Sequence, residues 1–346
     1  GIIQTASTDV PRLDYSPTTL APLGLLIEEQ RTNLALDSGE VLSGTGGVVV
    51  ANQITAPDGS LADFFREDTS NGEHYAGDRV VAVTAGTTYT WSFYAKLGLT
   101  GEARRVCVRT GAQGPANVAF DLETGSGTLI GGAISFGSSS AGNGWWRCWI
   151  VFIPTGTGGA VFRQQLSIGT NTVYTGNGTS GLYLWGAQLE VGAFPTSYIP
   201  TVASQVTRTA DIALMTGANF SSWYNQTEGT FVVTARDVSN PLGVMAATDD
   251  GTSANRNSIF LAGATTAVGF RTTVASVVVS DIAVGTIVSG AAFTIAAAYK
   301  INDFAATLNG AAVVVDSLGG VPLGQTTLRI GADVANTAFI GGHLQR

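Results

Sequence analysis

The sequence predicts an all-β protein built as two tandem antiparallel β-sandwiches after an extended N-terminal arm. Three observations predict it. Charged residues make up 12% of the 346 residues, about half the usual ~25%, while Gly, Thr, Ser and Val abound; this suits short strands and tight turns and lacks the residues that decorate soluble helices. No stretch holds a helical period. Finally, Gly181-Leu182-Tyr183-Leu184-Trp185-Gly186-Ala187-Gln188-Leu189-Glu190 alternates as a strand does, and Phe194-Pro195-Thr196-Ser197-Tyr198-Ile199-Pro200-Thr201 follows at once. Each Pro there lacks an N–H donor and fixes its own backbone. A strand therefore closes one module and an ordered connector leaves it, placing a domain boundary near residue 200.

Residues 1–34 read as the arm. Pro11, Pro17 and Pro22 bar ladder formation and leave only Leu23 to Ile27 as a short strand; such an arm lies across another module or subunit. Residues 35–200 read as a jelly roll of eight or nine strands: Ala62 to Glu67, His74 to Val83, Thr88 to Lys96, Arg105 to Arg109, Val118 to Leu122, Ala133 to Phe136, Trp145 to Ile153, Val161 to Ile168 and Gly181 to Glu190. Thr84-Ala85-Gly86-Thr87 makes a turn, after which Tyr89, Trp91, Phe93 and Ala95 share one face.

Residues 201–213 read as an extended linker and 214–346 as the second sandwich. Its strands are Gly229 to Ala235, Ser258 to Ala262, Val268 to Val274, Ala292 to Tyr299, Phe304 to Leu308 and Thr327 to Gly331. Asn309-Gly310 between apolar runs marks a hairpin. Val277-Val278-Val279 and Ala296-Ala297-Ala298 are too short to span a membrane and read as buried strands. No exact internal repeat links the halves.

A net charge of −8 without clustered Lys and Arg argues against nucleic acid, and Arg104-Arg105 reads as a solvated strand end. No apolar run suits membrane insertion. The chain begins with Gly and shows no secretory leader, so a longer N-terminal piece is expected to be missing, or the chain is one portion of a larger product. Cys107 and Cys148 read as buried free thiols, with a single inter-strand bridge as the alternative.

Catalysis finds no convergent machinery. Glycoside hydrolysis needs two facing carboxyl groups, yet Asp249-Asp250 and Glu67-Asp68 are adjacent pairs whose side chains point to opposite faces of a strand; they read as solvated loop residues. His74 reads as a packing residue and His343 as part of a frayed chain end. No nucleophile elbow or metal-ligand spacing occurs. The expectation is a protein without enzymatic activity.

The strand Trp145 to Ile153 puts Trp146, Cys148, Ile150 and Phe152 on one face and Trp145, Arg147, Trp149 and Val151 on the other. The small Cys148 among large hydrophobes marks the first face as core, so Trp149 points outward. Sugars present apolar C–H faces that stack on such rings while polar neighbours bond to hydroxyls. Trp149, Arg147 and Trp145 are thus the candidate carbohydrate-binding residues. The same indole would equally serve by burial against the arm, the second module or a symmetry mate.

Several motifs carry a resemblance. Gly24-Leu25-Leu26-Ile27-Glu28-Glu29-Gln30-Arg31-Thr32-Asn33-Leu34, Ala56-Pro57-Asp58-Gly59-Ser60, Glu73-His74-Tyr75, Ala85 to Lys96, Gly144-Trp145-Trp146-Arg147-Cys148, Trp185 to Glu190 and Thr207-Arg208-Thr209-Ala210-Asp211 together resemble a module of tailed-phage head-spike and tail-fibre proteins. That module is similar to galactose-binding-type carbohydrate-binding jelly rolls, and the match covers residues 11–211. Trp149 departs from it, since the family more often has a small polar residue there. More loosely, Glu228-Gly229-Thr230-Phe231, Ala298-Tyr299, Thr307-Leu308-Asn309-Gly310, Leu328-Arg329-Ile330-Gly331 and Phe339-Ile340-Gly341-Gly342-His343-Leu344 resemble laminin-G and concanavalin-like sandwiches. Those continue past the Gly-His step, so this chain, ending at Arg346, reads as trimmed or incomplete.

The resemblance implies a non-enzymatic virion surface appendage, a head spike or tail fibre assembled in the host cytoplasm. It would adhere to host cell-surface polysaccharide, contact other virion proteins and form a homotrimer that multiplies weak sugar contacts. It implies no cofactor beyond a structural calcium ion, for which Asp37 and Glu190 are the candidate ligands, although hard cations need more oxygens than two residues supply. Two alternatives stay open: a carbohydrate-binding module of a bacterial secreted or cell-wall protein, and a purely structural virion decoration.

Overall fold

The computed structural model describes residues 2–7, 9–99, 104–111, 113, 116–240, 242–263, 267–288 and 290–345; the chain end at Arg346, on which the expected trimming bears, lies outside them. The chain is all-β and falls into two compact units. One comprises Gly1–Thr5, Pro17–Leu20 and Arg31–Arg208, the other Ala6–Ser16, Ala21–Gln30 and Thr209–Arg346.

In the first unit two antiparallel sheets face each other. A five-stranded sheet runs in the order Gly127–Gly131, Asn117–Phe120, Arg104–Gly111, Gly158–Ile168, Tyr75–Val83. A six-stranded sheet runs Ser135–Gly142, Trp145–Phe152, Tyr89–Leu97, Gly181–Val191, Leu61–Glu67, Gly47–Thr55. Strand side chains alternate between faces, so Tyr89, Trp91, Phe93 and Ala95 all reach the core together with Cys148, Ile150 and Phe152. The sheets interlock where Trp91 stacks on Phe162 with centroids 4.5 Å apart. Each such fully buried ring contributes roughly 1.5–3 kcal/mol over its exposed state.

Alternation breaks inside Gly181–Val191, the strand that leads into the connector. Pairing with Tyr89–Leu97 shifts register between Trp185 and Gln188, and Gly186 has φ +68° with no room for a Cβ, which would lie 2.7 Å from Tyr94 Cδ2. This β-bulge adds one residue and changes the parity of the strand. Leu182 and Leu184 face the core before it, Ala187 and Leu189 after it. Trp185 faces outward before the bulge, and Gln188 and Glu190 are turned to the same outer face by it.

The second unit is also a two-sheet sandwich. Its seven-stranded sheet runs Leu13–Tyr15, Pro22–Ile27, Gly342–Leu344, Glu228–Arg236, Phe293–Lys300, Phe304–Leu308, Val314–Asp316. Its six-stranded sheet runs Ala213–Thr216, Thr327–Ile330, Val244–Asp249, Arg256–Ala262, Ala267–Val274, Val277–Thr286. Phe270, Ile282, Phe293, Ile295 and Phe304 fill the core between them. Asn309 and Gly310 both adopt positive φ, as a type I′ turn requires, and the Ala311 N–H closes it on the Leu308 carbonyl at 3.0 Å. One helical turn, Ala218–Ser221, interrupts the strands.

Four expectations need correction. The arm is not free of ladder pairing beyond Leu23 to Ile27: Leu13–Tyr15 pairs with Pro22–Ile27, which pairs with Gly342–Leu344. Pro11 and Pro17 flank these strands and Pro22 opens one, so no proline interrupts a ladder. The 201–213 linker holds a strand, Val206–Arg208, paired with Arg31–Asn33. Val277 and Val278 are exposed, at the start of Val277–Thr286, the edge strand of its sheet. His343 is not frayed; it lies between Leu26 and Arg236 in the seven-stranded sheet and is nearly buried.

Candidate functional site

The outer face of the six-stranded sheet in the first unit gathers most of the sequence-predicted residues. The bulge presents Gln188 and Glu190 outward, and the connector after Val191 lies across them. Both Glu190 carboxylate oxygens accept from Thr196, one from its N–H at 3.1 Å and one from its hydroxyl. The Gln188 amide donates to the Thr196 and Ser197 carbonyls, while its oxygen accepts the Ile199 N–H at 2.7 Å. Asn33 donates to the Ile199 and Ala187 carbonyls. Each neutral bond contributes about 1 kcal/mol and those to the carboxylate more. The prolines that end the strand thus belong to a segment bonded down residue by residue.

Arg147 is committed to the same clamp. Its Nη2 donates to the Thr196 carbonyl at 2.6 Å and to Ser92 Oγ at 3.1 Å, and the guanidinium lies 5.5 Å from the Tyr94 ring centroid. Trp145, expected as an outward platform, is 2% exposed. It packs with Ala56, Ala62, Tyr94 and Trp185 in a small second core, and its indole N–H donates to the Thr55 carbonyl at 3.2 Å. This indole is closed to a ligand because the outer face carries its own apolar cluster.

Trp149 differs from both. It is half-buried and sits between Gly137 on the edge strand and Ser92 on the inner one. A Cβ on Gly137 would come 2.5 Å from Trp149 Cζ2, so the indole lies over the glycine. Ser135 and Ser139, two residues away on either side, are exposed. The result is a partly open indole on a strand edge rimmed by hydroxyls.

The calcium candidates do not fit an ion. Glu190 is fully buried with both oxygens turned to Thr196. Asp37 is exposed at φ +48°, and its backbone bonds to Val202, Glu40 and Arg79. Among the described residues no cluster of three His, Cys, Asp or Glu is placed to hold a metal.

The acidic pairs are structural, and against the expectation one member of each is buried and not solvated. Glu67 is 1% exposed; Arg104 chelates it at 2.6 and 3.0 Å, the Tyr174 hydroxyl donates at 2.7 Å and the Asn177 N–H at 2.8 Å. Asp249, fully buried, accepts from Arg329 Nε at 2.6 Å and from the Gly251 N–H at 2.8 Å. Their neighbours Asp68 and Asp250 cap turns at Ser70 and Thr252, as expected of Asp beside a bend. His74 is fully buried, its ring nitrogens 2.6 and 3.1 Å from the Gly46 and Tyr174 carbonyls. Cys107 and Cys148 are free and buried.

Sequence reasoning passed over Trp223, which is 52% exposed in the second unit. Its signal, aromatic residues alternating irregularly with Ser and Asn over Phe220-Ser221-Ser222-Trp223-Tyr224-Asn225, has no strand or helix period and so gave no face.

No family model matches the chain, and no curated protein matches it. Among solved structures, the mouse laminin alpha1 chain, domains LG4-5, aligns over 99% of this chain and 92% of that chain, at 10% identity and a TM-score of 0.32. A likeness at that level carries no argument, and the assignment of the fold rests on the sheets themselves.

Proposed function

We propose that the chain is a non-enzymatic adhesive protein that recognises cell-surface polysaccharide, as a surface appendage of a phage or phage-like particle, acting as a homotrimer beside other virion proteins. The observation that carries the sugar-binding part is Trp149, a half-buried indole lying over Gly137, with Ser135 and Ser139 exposed two residues to either side of that glycine. Such a surface suits a pyranose, whose C–H face stacks while its edge hydroxyls bond to neighbours. The occupied carboxylates of Glu67 and Asp249 support a role without bond cleavage. The virion and trimer parts rest on the sequence resemblance.

A second reading, a purely structural decoration, is favoured by the commitment of Arg147 and Trp145 to the clamp and the outer cluster. A glycan array of bacterial capsular and O-antigen polysaccharides, probed with the full chain and with Trp149→Ala, separates the two. Binding that falls at least tenfold in the variant is expected. An array on which the wild-type chain binds nothing overturns the reading, and imaging of assembled particles tests the location.

A further inference from the structure

We infer that the second unit carries its own carbohydrate-stacking platform at Trp223, separate from the Trp149 surface. Only the class of ligand rests on the reading above; the geometry is independent of it.

An exposed Trp is informative because apolar rings of this size are normally covered. Trp223 is also held still. Its indole N–H donates to the Asn219 carbonyl at 2.8 Å, which spends the polar edge and fixes the ring plane. Phe220 and Tyr224 meet the indole at interplanar angles of 78° and 84°, with centroids 5.4 and 5.9 Å away. Beneath them Tyr224 stacks with Phe220 and Tyr299, and Tyr299 with Phe231. Phe220, Tyr224 and Tyr299 belong to the core cluster. The platform therefore stands on an aromatic pile rooted in the sandwich, and binding need not order a loop.

The rim selects the ligand. Residues 217–227 contain no charged side chain, and Asn219, Ser221 and Ser222, neighbours of Trp223 in sequence, are exposed, while Asn225 Oδ1 accepts from the Thr227 N–H and hydroxyl at 2.9 Å. Small hydroxyls and amides without charge match a neutral, polyhydroxylated partner and supply no charge to pair with a phosphate or a cationic peptide. A neutral hexose face is the occupant with this complementarity. Two weak platforms on one chain would also raise avidity for a repeating polymer.

The test uses the full chain with Trp223→Ala, Trp223→Phe, Trp149→Ala and the double variant on the same polysaccharide array, followed by titration with the best-bound polysaccharide. Trp223→Ala is expected to weaken binding at least tenfold, Trp223→Phe to restore part of it, and the double variant to bind more weakly than Trp149→Ala. Unchanged binding by Trp223→Ala while Trp149→Ala loses it overturns this site and leaves the proposed function standing. Loss in Trp223→Ala with Trp149→Ala unaffected moves recognition wholly to the second unit. A wild-type chain that binds nothing overturns both, and a change of mass by light scattering in Trp223→Ala without loss of sugar binding overturns the platform in favour of a protein contact.

Discussion

Gly137 and Trp149 face each other across adjacent antiparallel strands, and the space a Cβ would need at Gly137 is filled by the indole, 2.5 Å from Cζ2. The substitution Gly137→Val therefore forces the ring off the strand. Because the indole is only half-buried it can swing outward, so the cost is limited to about 1–3 kcal/mol of overpacking. Acrylamide quenching of tryptophan fluorescence should rise, and polysaccharide binding should fall as in Trp149→Ala.

Trp145 and Trp149 share a face but not a role, and stability measurements should separate them. Trp145→Ala empties the middle of the outer cluster and breaks the bond to Thr55. It should lose about 3–5 kcal/mol in urea unfolding, as large aromatic truncations do. Trp149→Ala should lose clearly less.

Glu67 should behave as a buried anion that the fold requires. Burial alone would raise its pKa, but hydrogen bonds from Arg104, Tyr174 and Asn177 outweigh this and hold it below the ordinary 4.5. A depressed carboxylate contributes stability that is present above its unfolded pKa and lost as pH falls through the folded one. Glu67→Gln removes the carboxylate charge that Arg104 chelates and should cost about 3 kcal/mol at neutral pH. The difference from wild type should shrink at strongly acidic pH, measured by denaturant titration.

His343 sets an alkaline limb in the second unit. Nε2 lies 2.9 Å from Asp14 and Nδ1 3.6 Å from Asp237. Burial lowers the imidazole pKa, but the hydrogen bond to Asp14 and the charges of both carboxylates prevail and push it from 6.5 up to about 9. A raised pKa contributes stability that is full below 6.5 and lost as pH climbs through about 9. Thermal unfolding should show wild type more stable than His343→Gln at pH 6, with the gap narrowing by pH 10.

The thiols should be inert in the folded chain. Burial pushes Cys107 up to about 12 and Cys148 higher still, so neither forms thiolate at neutral pH. Ellman's reagent should label neither in native protein and both in guanidinium chloride.

Local chemistry in the sequence determined the all-β class, the strand–connector step near residue 200, the Asn309-Gly310 turn and the core face of the Trp145–Phe152 strand. Each follows from period-two alternation or from a residue's own backbone freedom, which neighbours in sequence suffice to express. Tertiary structure alone decided that Gly186 is a bulge, that Trp145 is covered while Trp149 is half-open, that Arg147 reaches Thr196 and that Asp14 meets His343. Those outcomes depend on pairing with strands tens to hundreds of residues away, and one residue inserted in a ladder reverses which side chains face water. Trp223 fell outside the periodic signals because Phe220 to Asn225 follow neither a strand nor a helix period.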